Sequence, residues 1–273
     1  MIYLKKLALS PVFLILLSAL ILKLPEVLNS YNILFSLSLE GLYLLVTIVG
    51  LITMTAIAFT IFVTIASDWK VTAPVILIAS ALPLIFLPYS LGLILSIGIL
   101  ISLFANAAVL ENKLQSYIDF KPTDLLTPII KGVVTLLILL IALGYYLSIN
   151  KQISEEGFEI PDSLLELSTN FSSSSPYNTD QYQLPPELLN TASQQIQTST
   201  KSLLKEQLNL MLKPYQGYIA PLFAVFLFFS LLSFSSILGI FIRPVIYLIF
   251  YLFRKTGFIS FTTEMREVKK LIV

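Results

Sequence analysis

The chain has 273 residues, of which 56% are hydrophobic and only 12% charged, with a formal net charge of +1. A soluble domain of this length carries roughly 25% charged residues, so there are too few polar groups here to cover a water-facing surface, and lipid must be the solvent for much of the chain. Neutrality removes any global electrostatic basis for binding nucleic acid. The absence of cysteine and histidine removes disulfide and thiol chemistry, the commonest general base and the commonest transition-metal ligand. Zinc-hydrolase, Ser-His-Asp and Cys-His mechanisms are therefore excluded.

Six apolar runs approach the roughly 20 helical residues that a hydrocarbon core of about 30 Å requires. They cover residues 7–24, 41–66, 73–88, 91–110, 128–149 and 218–242. The first follows Lys5 and Lys6 as a signal sequence would, but it is long for one and no small-residue cleavage site follows before Glu26, so it reads as an uncleaved span. The third is the weakest, because it is short and carries Pro74, Pro83 and Pro88. That pattern fits a re-entrant loop as well as a span.

Basic residues set the orientation. With six spans and an inside N-terminus, the inner side holds Lys5, Lys6, Lys70, Lys113, Lys121, Lys131, Arg243, Arg254, Lys255, Arg266, Lys269 and Lys270. The outer side holds Lys23, Lys151, Lys201, Lys205 and Lys213, and this bias largely disappears if the third run fails to cross. Trp69, Tyr145, Tyr146, Tyr215 and Tyr218 fall near span ends, where aromatic rings favour the headgroup level.

Small and weakly polar residues form stripes on two spans: Gly50, Thr53, Ala56, Thr60, Thr64 and Ser67 on the second, and Gly98, Ser102, Ala105 and Asn106 on the fourth. Such stripes permit close helix approach in lipid, and their alternative use is to line a solute path. Asn106 needs a polar partner, since an unpaired buried amide costs on the order of a few kcal/mol. No charge lies near the middle of a span, which argues against an ion-coupled pump. Glu111, Asp119 and Asp124, around the loop between spans four and five, match no metal or acid–base spacing and read as a solvated, charge-balanced loop. No glycine-rich phosphate loop is present.

The segment 150–217 is acidic, with a Ser-rich linker at 168–182, a short helix expected at 161–167 and a longer one at 186–213. On that longer helix Leu189, Ile196, Leu203, Leu204, Leu208 and Met211 make an apolar stripe suited to the bilayer, to the chain's own spans or to a partner. After the sixth span, Arg243 and Pro244 interrupt the apolar run, so residues 245–253 are expected to form a separate inner interfacial helix.

The sequence thus implies an all-α polytopic membrane protein with about six transmembrane helices and a partly helical extracytoplasmic segment between the fifth and sixth. Four regions follow: a five-span bundle (1–149), the acidic segment (150–217), the sixth span with an interfacial helix (218–256) and a cytoplasmic tail (257–273). The expected location is the cell membrane, with both termini cytoplasmic. The expected role is non-catalytic, as a scaffold, assembly or accessory subunit in contact with the bilayer and with a membrane-protein partner or a second copy. A passive channel or small-solute transporter lined by spans two and four is the alternative, and no cofactor is implied. Because the chain has no native cysteine, single-cysteine labelling tests the orientation cleanly. Ser174→Cys should react with an impermeant reagent from outside, and Lys113→Cys and Lys270→Cys only after permeabilisation; the reverse pattern overturns the assignment.

Overall fold

The computed structural model describes residues 6–28, 39–116, 121–156, 207, 211 and 213–259. They form six long helices: α1 (Ser10–Leu28), α2 (Leu39–Ala66), α3 (Trp69–Phe86), α4 (Tyr89–Ser116), α5 (Pro122–Glu156) and α6 (Gln216–Lys255). A 3-10 turn, Lys213–Tyr215, leads into α6. All six are long and apolar enough to cross a membrane, and the described residues contain no strand. Over the described residues the chain is all-helical, and it is a multi-pass membrane protein.

The third run is a helix rather than a loop. Its 18 residues rise about 27 Å, close to the thickness of the hydrocarbon. Pro74 is its sixth residue and Pro83 its fourth from the end, so the backbone bonds that proline removes are lost near the helix ends, where they cost least. The two-residue connection from α2 is built for a reversal. Ser67 takes a left-handed φ of 41° while its amide still donates to the Val63 carbonyl at 3.0 Å, closing α2 as glycine more often does. Asp68 is extended and accepts the Lys70 amide at 3.0 Å, which caps α3. That amide, with the Lys6 ammonium 3.5 Å away, holds the Asp68 carboxyl below the usual carboxylate range. Ser67 is therefore a turn residue and leaves the α2 stripe to which its spacing assigned it.

The α3–α4 connection is equally short. Leu87 is extended, as a residue before proline must usually be, and its amide donates to the Pro83 carbonyl at 3.0 Å. Gly92, one turn into α4, comes so close to α3 that a Cβ would sit 2.8 Å from the Pro83 oxygen and 3.2 Å from the Leu84 Cα. Farther along, the Ser96 hydroxyl donates to the Ser80 carbonyl across the pair.

At the centre of the bundle are α2 and α5, each with 61% of its most apolar stretch buried, against 17% for α6. The ring of Phe13 on α1 meets Phe59 on α2 at 5.2 Å, and Trp69 stacks on Phe104 of α4 at 5.7 Å. Leu95 of α4 and Leu28 of α1 both reach Gly144 of α5, while Lys131 of α5 lies along Gly239 of α6. These pairs fix the register. No charge occurs between Lys131 and Lys151 on α5, an interval of about 30 Å that matches the hydrocarbon core. Tyr145 lies within that interval and is fully buried rather than at the headgroup level.

Two expectations are corrected by helix length. The apolar run through Arg243 and Pro244 does not break into a span and a separate interfacial helix: α6 is continuous from Gln216 to Lys255 with Pro244 inside it. Proline removes one backbone bond, and the apolar residues on either side keep one face packed, through Ile242, Ile246 and Phe250. Likewise α5 continues to Glu156, past the bundle boundary placed at 149. The stripe residues Leu189, Ile196, Leu203, Leu204 and Leu208 lie outside the described residues, as do the linker and the tail beyond Ile259.

Glycine contacts give a paired expectation. Gly92→Ala forces α3 and α4 apart and should lower stability by about 1–3 kcal/mol. Gly50→Ala meets nothing within 4 Å, and should be neutral or stabilising by up to about 1 kcal/mol. Thermal unfolding of both variants in mild detergent checks the difference; equal effects would show that the α3–α4 contact is looser than described.

Candidate functional site

The α2 stripe is built of threonines whose hydroxyls are committed to their own helix. Thr53 donates to the Val49 carbonyl at 2.8 Å, Thr60 to Ala56 at 2.8 Å and Thr64 to Thr60 at 2.7 Å. In hydrocarbon this back-bonding satisfies a hydroxyl without another helix. Thr53 and Thr60 are buried, whereas Gly50 and Thr64 are half-buried.

The α4 stripe closes on α5 instead of on α2. Gly98 leaves room for Leu140, whose methyl would collide with a Cβ there. One turn farther, Ser102 is buried, and after another turn Asn106 lies beside Gly132, with its Oδ1 3.3 Å from where a Cβ of that glycine would be. The Asn106 amide donates to the Ser102 carbonyl at 2.8 Å. The amide's partner is thus on its own helix and not across the bundle. Ala105 turns outward, off this packed face.

Among the described residues, three buried hydroxyls, those of Thr55, Ser102 and Tyr145, have no hydrogen-bond partner. Each such group carries a desolvation cost of roughly 1–3 kcal/mol. Sequence reasoning singled out Ser102 alone. Thr55 falls off the α2 stripe by wheel position, and Tyr145 neighbours Tyr146 in a pair that reads as interfacial. Of the three acids near the α4–α5 connection, Glu111 is half-buried on α4 and Asp124 exposed on α5, while Asp119 lies outside the described residues. No group of three or more potential metal ligands comes together among the described residues.

The remaining candidate surface is α6. It buries Ile219, Phe223, Leu227, Leu231, Ile242 and Phe250 on one face. The opposite face exposes large apolar side chains from Leu222 and Phe226 through Ile237 and Phe241 to Leu248 and Leu252. Ser233 and Ser236 on this helix donate to their own helical carbonyls. Beside it, an apolar groove of about 530 Å³ runs between Leu143 and Tyr146 of α5 and Pro221 and Phe229 of α6. Met211, from the expected outer stripe, is 70% exposed.

Because the Asn106 amide bonds its own helix, Asn106→Leu should change unfolding stability in detergent by no more than about 0.6 kcal/mol, the average for polar side-chain bonds in membrane bundles. A loss above about 2 kcal/mol would show that the amide holds another helix. No protein-family model, curated protein or solved structure matches the chain, so its function must be argued from this geometry.

Proposed function

We propose that the chain is a non-catalytic membrane subunit, a scaffold, assembly or accessory protein that works by presenting α6 to a helix of another membrane protein. What supports this reading is a mismatch of lengths. Lys131 lies against Gly239, so Gly239 marks on α6 the depth at which the charge-free interval of α5 ends. From there α6 runs sixteen more residues to Lys255, about 24 Å along its axis, whereas α5 runs only about 14 Å to Pro122. On that extension Tyr247, Leu248, Tyr251 and Leu252 are exposed, and the rings of Tyr247 and Tyr251 stack at 6.4 Å. Hydrocarbon covers the upper part of the α6 face but not an apolar strip continued this far, and exposed strips of this kind mark contacts. Stacked tyrosines at the centre of an apolar patch are the residue type on which interface energy concentrates.

The location follows from charge. The chain is assigned to a cell membrane with both termini cytoplasmic, because Lys6, Lys70, Lys113, Lys121, Lys131, Arg243, Arg254 and Lys255 belong to one side of a six-span topology.

A second reading, a passive conduit for a small solute along α2 and α4, is supported by the unpartnered hydroxyls of Thr55, Ser102 and Tyr145, since buried polar groups without protein partners are commonly met by water. One experiment separates the two. Leu248→Ala with Tyr251→Ala should strip a stoichiometric membrane-protein partner during mild-detergent purification while the unfolding temperature holds. Leu77→Ala with Ile85→Ala, on the exposed face of α3, should leave the partner bound. Loss of about 2 kcal/mol of interface energy corresponds to roughly 30-fold weaker association. If both double variants behave alike, and reconstituted vesicles show a solute flux reduced by Ser102→Val, the conduit replaces the subunit.

A further inference from the structure

The end of the bundle opposite Lys131 carries a second cavity, about 450 Å³, between the start of α4 and the end of α5. Its origin is a difference in helix length. Leu95 packs on Gly144, so in this antiparallel pair Tyr89, the first residue of α4, stands opposite residue 150. Since α5 continues to Glu156, it outlasts α4 by about 9 Å and leaves a notch above the Pro88 turn. The notch straddles the border of the hydrocarbon that Lys151 marks. Leu91, Ile94 and Leu147 line its deeper part, and Ser90, Lys151 and Glu155 its rim.

The two rim charges are only loosely engaged with each other. Lys151 Nζ and Glu155 Oε1 are 3.9 Å apart, and their side chains are 71% and 64% exposed. A lysine preceding a glutamate by four residues is also the weaker order for a helical pair. A cation and an anion therefore stand side by side at headgroup level over an apolar floor. An amphiphile whose polar end carries both signs complements that arrangement.

We propose that this notch binds a zwitterionic glycerophospholipid of the leaflet on the Lys151 side. The phosphate meets the Lys151 ammonium, with Ser90 at the start of α4 beside it. The headgroup amine meets the Glu155 carboxylate. An acyl chain enters along Leu91, Ile94 and Leu147. This site rests on the depth of Lys151 and on the α4–α5 register, and does not depend on what α6 contacts.

Native mass spectrometry of the detergent-purified chain tests it, with dioleoyl phosphatidylethanolamine, dioleoyl phosphatidylglycerol and inorganic phosphate as probes. Phosphatidylethanolamine should remain bound after extensive detergent washing and raise the unfolding temperature. Lys151→Gln and Glu155→Gln should each lower its occupancy about fivefold, the factor that corresponds to about 1 kcal/mol for one charge at a lipid surface. Ile94→Trp should fill the floor and abolish retention with both charges intact. The exposed pair Lys23 and Glu26, 2.6 Å apart on α1, serves as control: Lys23→Gln should change nothing. Unfolding temperatures without lipid establish that each variant is folded. Equal retention of phosphatidylglycerol overturns the role of Glu155 and with it the proposal. Retention indifferent to Lys151 and Glu155 reduces the lipid to non-specific annulus. Saturation by inorganic phosphate alone, with no lipid held, makes the notch an anion site and not a lipid site.

Discussion

Charge cannot be left uncompensated in hydrocarbon, and the interval from Lys131 to Lys151 on α5 is where that constraint is most visible. It fixes the depth of a central helix, and the rest of the bundle is arranged around it. On one border Lys6 reaches Asp68, joining the segment that precedes α1 to the α2–α3 turn. Near the end of α1, Lys23 and Glu26 pair with each other. Hydrocarbon offers no hydrogen-bond partner between the borders, and the threonines of α2 donate their hydroxyls to carbonyls a turn behind them. Helix ends, turns and side-chain bonding thus follow from a single solvent boundary.

Within that boundary the helices divide into a centre and a periphery. α2 and α5 are the most enclosed, while α6 leans on them by one face. The small residues are consumed where packing is closest, at Gly92 against Pro83, Gly98 against Leu140 and Gly132 against Asn106. That use of glycine is structural and leaves fewer groups for a solute. The orphan hydroxyls of Thr55, Ser102 and Tyr145 are the counterweight, because a fully packed bundle gains nothing from them. Contact through the periphery and passage through the centre are therefore competing uses of the same architecture.

The number of spans was legible because hydrophobic run length is a direct consequence of bilayer thickness. Even the proline-bearing third run crosses, since Pro74 and Pro83 sit near its ends. Helix ends were less legible. Pro244 looked like a terminator, yet the packed residues Ile242, Ile246 and Phe250 carry the helix past it. Ser67 matched the stripe by spacing and proved to be a left-handed turn, a conformation that composition does not announce for serine. Stripe partners were illegible for a simple reason: periodicity gives the face of a helix but not which helix it meets. Hence the α4 stripe found α5, and the polar partner of Asn106 was already on its own helix.

The join between α3 and α4 has a mechanical consequence. α3 is the shortest of the six helices and the least apolar, with two prolines. Two residues separate it from α4, and the Pro83–Gly92 approach and the Ser96–Ser80 bond hold the pair from the turn onward. With only two residues between them, neither helix can shift far along its axis without carrying the other. The pair is therefore a single hairpin, and strain on the proline-bearing helix passes into α4 at the turn.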